Sequence, residues 1–152
     1  MNALYTDGGC SPNPGPGGWA FILVKDGDVQ ECFGGHPETT NNRMELTAVI
    51  RGLEASGEGS EVELVADSEY VLKGLKEWMP SWKAAGWTRK ASGRRKPVLN
   101  VDLWQHLDML ASTRQITCTW VKGHSGDPRN ERCDELVNAV HEAFRRGETV
   151  PE

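Results

Sequence analysis

Three short β-prone segments open this chain, and tight turns join them. Residues 3–7 (ALYTD) predict a first strand, and residues 19–25 and 29–33 predict two more on either side of Asp26-Gly27. An Asp-Gly pair between two such segments is a strong signal for a β-hairpin. The chain therefore begins as an antiparallel arrangement, which excludes an all-helical fold.

The remainder alternates between two kinds of hydrophobic pattern. Helical spacing and short β-prone segments follow each other in this order: helix 42–56, strand 62–66, helix 68–78, a helix that Asn100 could cap, strand 116–121, and a last helix that begins at Asn130 or a neighbour. Tight antiparallel strands followed by strands separated by helices predict an α/β fold, a mixed sheet with helices packed on it.

Composition fits one globular domain. The chain has 152 residues, of which 38% are hydrophobic and 26% are charged. We expect a single domain at 1–145 and a polar tail at 146–152 that frays. The apolar run Trp19–Val24 is too short for a membrane span, and no secretory signal is visible, so a cytoplasmic location and free thiols at the four cysteines are expected.

The net charge of −5 hides an uneven distribution. Six basic residues occur between positions 83 and 96 without an acidic one among them: Lys83, Arg89, Lys90, Arg94, Arg95 and Lys96. Without these six, 11 basic residues face 22 acidic ones. Such a basic lobe on an acidic body can bind a polyanion. Charge alone leaves a solvated loop equally open.

Four carboxylates are candidate metal ligands: Asp7, Glu45, Asp67 and Asp134. Each has a structural alternative: a turn residue for Asp7, a capping box for Glu45, an N-cap for Asp67 and a solvated helix face for Asp134. Carboxylates at strand ends and on neighbouring helices can converge, however, and Mg²⁺ prefers such oxygen ligands. Two ions about 4 Å apart suit phosphodiester hydrolysis.

Six ordered segments carry a resemblance to a known family: TDGGCSPNPGPGGWA (6–20), TTNNRMEL (39–46), ADSEYV (66–71), WKAAGW (82–87), NVDLWQ (100–105) and WVKGHSGDPRNERCDEL (120–136). Over nearly its whole length the chain resembles bacterial type 1 ribonuclease H. The resemblance implies a five-stranded mixed sheet, three strands antiparallel and then parallel ones, flanked by helices. It also implies a magnesium-dependent endonuclease, in which manganese can substitute. Its substrate would be the RNA strand of an RNA–DNA hybrid, cut to leave 5′-phosphate and 3′-hydroxyl ends. A monomer is the default expectation for the oligomeric state.

The resemblance also assigns catalytic roles. Asp7, Glu45, Asp67 and Asp134 match the family's metal-binding acids, and His124 matches a loop histidine that assists proton movement or product release. A titratable imidazole on a loop with a glycine at each end suits that role. Asn130 matches an asparagine close to the active site, although it could equally cap a helix.

Substrate contacts follow from the same resemblance. Cys10, Asn13, Asn41 and Asn42 match the minor-groove contact to the RNA strand, where amides suit a 2′-hydroxyl that both donates and accepts. On the DNA-strand side, Thr40 matches a position near a phosphate, and Trp78 and Trp82 match positions beside the sugars. Glu69 and Asn130 are further matching positions, and many relatives carry Gln at the position of Glu69. The basic segment at about 78–99 matches a substrate-binding handle, with Lys83, Arg94, Arg95 and Lys96 as its contacts. Trp19, Trp104 and Trp120 are expected in the core.

Two other functions stay open at this point. One is a DNA-cutting relative on the same fold, such as a junction resolvase, and the cluster of Cys10 and three asparagines argues against it. The other is a hybrid-binding module without catalysis, against which the presence of all four acids argues. Cleavage assays on hybrid and duplex DNA would separate them.

Overall fold

The structure is a computed structural model that describes residues 1–123 and 126–152. In chain order its elements are strands β1 (Asn2–Cys10), β2 (Gly15–Lys25) and β3 (Asp28–Thr39), helix α1 (Asn41–Ser56), strand β4 (Glu61–Ala66), helices α2 (Glu69–Lys73) and α3 (Met79–Ala84) with a π-helical turn (Gly74–Trp78) between them, strands β5 (Thr88–Ala91) and β6 (Arg94–Pro97), helix α4 (Val101–Ala111), strand β7 (Gln115–Trp120) and helix α5 (Pro128–Arg145).

The main sheet has the expected five strands, in the order β3-β2-β1-β4-β7. Strands β1, β2 and β3 pair antiparallel, whereas β1, β4 and β7 pair parallel. This arrangement confirms the mixed α/β sheet predicted from the sequence. In the described residues no helix has both the length and the apolar character needed to span a membrane.

The two faces of the sheet are covered by different helices. Alternate residues of a strand point to opposite faces, so Phe21 of β2 joins the larger core with α1 and α4, and Ile22 joins a smaller core with α5. Trp19 and Trp104 are buried as expected. Trp120 is 52% exposed, so its expected place in the core is wrong. It ends β7, an edge strand with a neighbour on one side only.

Helix formation after β4 extends further than the sequence pattern predicts. The helical segment expected at 68–78 continues through the π-helical turn to Ala84. Gly74 makes this path possible, because a Cβ there would lie 1.9 Å from the Trp104 ring. The long helix is therefore packed directly on α4, and it leads into the basic handle.

Part of the handle is a β-hairpin that the sequence pattern did not predict. Strands β5 and β6 turn at Ser92 and Gly93, which have φ values of 52° and 76°. Two central residues with positive φ match the type I′ turn of two-residue hairpins. The ladder sets Arg89 opposite Lys96, and like charges directly opposite destabilise a strand pair.

The end of the polar tail lies against the sheet. The Gly35 N–H of β3 donates a hydrogen bond to the Pro151 carbonyl at 2.9 Å. Glu152 also lies 3.2 Å from the His36 imidazole. Strand β3 is an edge strand, so the tail provides a partner for a backbone group that would otherwise face solvent.

Candidate active site

Two of the four acids lie side by side at one edge of the sheet. Asp7 belongs to β1, and Asp67 follows the last residue of β4. Strands β1 and β4 are parallel, and Thr6 pairs with Ala66. The residues that follow this pair, Asp7 and Asp67, are therefore neighbours at the carboxyl end of β4. The strand order therefore brings together two carboxylates that are 60 positions apart in the sequence.

Glu45 and Asp134 come from helices on opposite faces of the sheet. A Cβ on Gly8 would lie 2.4–2.6 Å from backbone atoms of Met44 and Glu45, so only glycine lets α1 approach β1 this closely. On the other face, Cys133 is fully buried and its thiol lies 3.5 Å from the Tyr5 carbonyl. Helix α1 with Glu45 and helix α5 with Asp134 are thus both packed against β1, the strand that carries Asp7.

The charges of the four carboxylates act on one another. Burial raises the pKa of Asp7 from its ordinary 3.8 to about 8, with further contributions from the charges of Asp67, Asp134 and Glu45. Burial and the charge of Asp67 also raise the pKa of Glu45, which a hydrogen bond from the Ser68 hydroxyl partly opposes. A cation bound here would offset this repulsion.

The four carboxylates are suited to a magnesium ion that takes its remaining ligands from water and substrate. In residues 1–123 and 126–152, no three Asp, Glu, His or Cys side chains are placed to hold a metal ion by themselves. Mg²⁺ does not need such a cage, because it usually keeps several waters and binds one or two carboxylates together with substrate phosphates. The acidic cluster is therefore compatible with an ion that is completed by water and substrate.

The structural alternatives for two of the acids are wrong. Thr40 caps α1, its hydroxyl accepting from the Arg43 N–H at 3.2 Å, so Glu45 takes no part in a capping box. Ser68 caps α2 in the same way, so Asp67 is not its N-cap. In both cases a nearby hydroxyl side chain satisfies the helix end instead.

Asn130 is not a helix cap either. Asp127 caps α5, and its carboxylate accepts hydrogen bonds from the N–H groups of Arg129 and Asn130. The Asn130 side chain is 95% buried, and its Nδ2 has no hydrogen-bond partner among the described residues. It lies one helical turn before Asp134. His124, the predicted catalytic histidine, falls outside the residues that the structure describes.

The structure brings together three of the four residues predicted to contact the RNA strand. The Cys10 N–H donates to Asn41 Oδ1 at 2.7 Å, and the Asn41 N–H donates to Asn13 Oδ1 at 3.2 Å. The Cys10 thiol donates to the carbonyls of Gly15 and Thr39. Asn42 follows at the exposed start of α1. We call Cys10, Asn13, Asn41 and Asn42 the recognition cluster.

Comparison with known proteins decides the family. A model of the RNase H family matches residues 1–142. The chain belongs to the ribonuclease H family. A ribonuclease H of Cupriavidus necator is 51% identical over 143 residues, which cover 94% of this chain and 97% of that protein. This membership confirms the resemblance inferred from the sequence and, with it, the enzyme class.

Solved structures show the same fold. LC9-RNase H1, a type 1 RNase H with the type 2 active-site motif, matches with a TM-score of 0.80 and 28% identity over 98% of this chain and 74% of that one. LC11-RNase H1 in complex with an RNA/DNA hybrid matches with a TM-score of 0.71 and 25% identity, over 95% of this chain and 99% of that one.

The remaining predicted contacts of this ribonuclease H domain lie on α2, α3 and the handle. Glu69 is exposed and forms an ion pair with Lys73 at 3.8 Å. Trp78 and Trp82 are half-buried with ring centroids 5.9 Å apart, and Trp82 contacts the buried Trp104. The two tryptophans are therefore anchored to the core while part of each ring remains accessible.

The basic residues of the handle have different partners. Lys83 pairs with Asp108 of α4 at 3.1 Å, and Arg95 donates to the side chain and carbonyl of Thr88 across the hairpin. Arg94 and Lys96 are exposed. The four predicted contacts are thus unequal, because Lys83 and Arg95 also stabilise the handle itself.

A hydrogen-bond network that the sequence did not reveal links the start of α4 to α1 and α2. Arg43 donates to both carboxylate oxygens of Asp102 and to Asn100 Oδ1, and Asn100 in turn donates to the Tyr70 hydroxyl. Asn100 occupies the N-cap position of α4 with a left-handed φ of 58°, but its side chain makes no capping bond. Its amide instead joins α1 and α2.

Proposed function

We propose that this protein hydrolyses the RNA strand of RNA–DNA hybrids through two magnesium ions, giving 5′-phosphate and 3′-hydroxyl ends. The observation that carries the proposal is the half-buried Asp7 carboxyl, whose pKa is raised to about 8 by desolvation and by the charges of Asp67, Asp134 and Glu45. Such a group is unfavourable to ionise without a cation. The family membership of the chain and the hybrid in the LC11-RNase H1 complex support the choice of substrate.

The residues of the site would divide the work as follows. Asp7 and Asp67 would be the shared inner ligands, with Glu45 and Asp134 completing the set and manganese able to substitute. When bound, the ions supply positive charge for the attacking and the leaving oxygen of the phosphodiester. Ser68 orients Glu45 through its hydroxyl, and Glu45 can also accept a hydrogen bond from the 2′-hydroxyl beside the cut. No side-chain nucleophile is required.

Selection of RNA would rest on the recognition cluster and the handle. Amide and backbone groups around Cys10 and Asn41 can reach the 2′-hydroxyls of the RNA strand, which distinguish RNA from DNA. The exposed cations of the handle can bind phosphates. Trp78 and Trp82 would contact the DNA sugars. A monomeric state and a cytoplasmic location stay predictions.

The direct test is cleavage of a hybrid with separately labelled strands by wild type and by Asp7→Asn. Wild type with magnesium should cut only the RNA strand, and chelation of the metal should abolish the activity. Asp7→Asn should lose at least about a thousandfold in kcat, because a neutral amide is a poor ligand for a hard cation, yet it should still bind the hybrid. Product ends are read by their response to phosphatase and ligase.

Duplex DNA of the same sequence is the matched control substrate. Magnesium-dependent cleavage of that duplex at a rate similar to the hybrid would replace the proposal by a DNA-cutting function. Binding of the hybrid without any cleavage by the wild type would show a binding module instead.

A further inference from the structure

His141 of α5 makes a polar contact with the segment that leads from Asp7 to the recognition cluster. Its Nε2 lies 3.0 Å from the Gly9 carbonyl oxygen. A carbonyl oxygen can only accept, so Nε2 must carry the hydrogen in this contact. The side chain is half-buried, which limits the competition from water.

Two glycines in a row of three let α5 approach closely enough for the contact. Gly9, Gly18 and Gly35 pair side by side across β1, β2 and β3. A Cβ on Gly18 would lie 2.8 Å from Val140 Cβ, and one on Gly35 would lie 2.7 Å from Val140 Cγ1. Helix α5 therefore rests directly on the backbone of β2 and β3, and the residue after Val140 reaches β1.

One peptide group is held from both of its polar ends. The Gly9 carbonyl and the Cys10 N–H belong to the same planar peptide unit, so they cannot rotate independently. The carbonyl accepts from His141 of α5, and the N–H donates to Asn41 Oδ1 of α1 at 2.7 Å. Hydrogen bonds in series polarise one another, so the first bond strengthens the second.

We propose that His141 is a positioning residue for substrate recognition, which holds the Gly9–Cys10 peptide so that Asn41 is oriented toward the RNA strand. Because Asn41 Oδ1 is engaged by Cys10, its amide Nδ2 is left as the donor for a substrate oxygen such as a 2′-hydroxyl. The inference rests on the proposed function. It adds a residue of α5 that does not touch the substrate and acts through two others.

The test uses two substitutions of similar shape. In His141→Gln the side chain keeps an amide donor, whereas in His141→Met it has a similar length and no donor. His141→Met should raise KM for the hybrid about fivefold, the effect of one ordinary hydrogen bond, with kcat within twofold of wild type. His141→Gln should restore most of the affinity. Glu142→Ala, at an exposed neighbouring position on α5, is the control.

Two further measurements separate positioning from general loss of structure. The chemical shift of the Cys10 amide proton should change in His141→Met and much less in His141→Gln. In an Asn41→Ala background, His141→Met should cause no additional rise in KM. Equal behaviour of Met and Gln, or effects of His141 and Asn41 that simply multiply, would reject the role.

The substrate-free shift of the Cys10 amide keeps this inference separate from the proposed function. If wild type does not cleave the hybrid, the proposed function fails whatever the shift shows. If wild type cleaves it and the Met variant keeps both the shift and KM, only the role of His141 fails.

Discussion

Asp7 lies where its ionised form is unfavourable, and this makes the stability of the folded protein depend on pH. Its pKa is about 8 in the folded protein against about 3.8 ordinarily, so the folded state binds the proton more tightly. Without metal, the free energy of unfolding should therefore fall as pH rises from about 4 to about 8. Asp7→Asn removes this term and should stabilise the protein at pH 9 by roughly 1–3 kcal/mol, but hardly at pH 4.

Melting temperatures in a chelating buffer across this pH range measure the effect. Wild type should lose more stability than Asp7→Asn between pH 5 and pH 9, and magnesium should recover part of the loss in wild type only. Parallel pH profiles for the two proteins would show that the Asp7 carboxyl is not destabilised by its surroundings.

Single residues also show how far sequence reasoning reaches. The four acids were predicted as metal ligands because family motifs match their positions, whereas local pattern alone left capping roles open for Glu45 and Asp67. Neighbours settled those roles, because Thr40 and Ser68 fill the two caps. His141 carries no sequence signal, since its partner Gly9 is 132 positions away. Contacts of this kind depend on how a helix is docked.

Among the secondary-structure elements, the handle hairpin shows a conflict between local stability and charge. Strands β5 and β6 align Arg89 with Lys96 and Lys90 with Arg95. Such pairs destabilise an isolated ribbon, and a polyanion would relieve them. The hairpin was missed in the sequence because five cations among the eight strand residues conceal the alternation typical of strands. Ser92-Gly93 was the remaining signal for a turn.

The handle gives a prediction about salt dependence. Arg94→Gln with Lys96→Gln should raise KM for the hybrid and leave kcat unchanged, because both side chains are exposed and far from the acids in sequence. If each contacts one phosphate, the slope of log affinity against log salt should flatten by about 1.8. Binding titrations at several salt concentrations measure it.

Arg95 is left intact in that variant because it bonds to Thr88 within the hairpin. Arg145→Gln with Arg146→Gln removes the same charge at the far end of α5 and serves as the control. An equal flattening in both variants would mean that net charge, and not the handle, determines the salt dependence.

For the whole molecule, the mixed sheet was predictable, whereas the strand order and the docking distances were not. Hydrophobic pattern and turn residues indicated a mixed sheet, and the structure confirms it. The pattern could not show that glycines in three strands form one row, because strand register is needed to align them. It likewise could not place the tail on β3, which depends on contacts more than 100 positions apart.

Gly18 and Gly35 let α5, the helix that carries Asp134, pack directly on β2 and β3. Gly18→Ala would place a Cβ against Val140, so the helix must shift or the core must strain, at a cost of about 1–3 kcal/mol in stability. Because that shift also moves Asp134, kcat on the hybrid should fall as well. Val140→Ala in the same chain removes the Cγ1 contact at 2.9 Å but keeps the Cβ contact at 2.8 Å, so it should restore part, and only part, of both properties. Denaturant unfolding and single-turnover cleavage of the two single variants and the double variant measure the coupling. Strictly additive losses would show that α5 is positioned by contacts other than this glycine row.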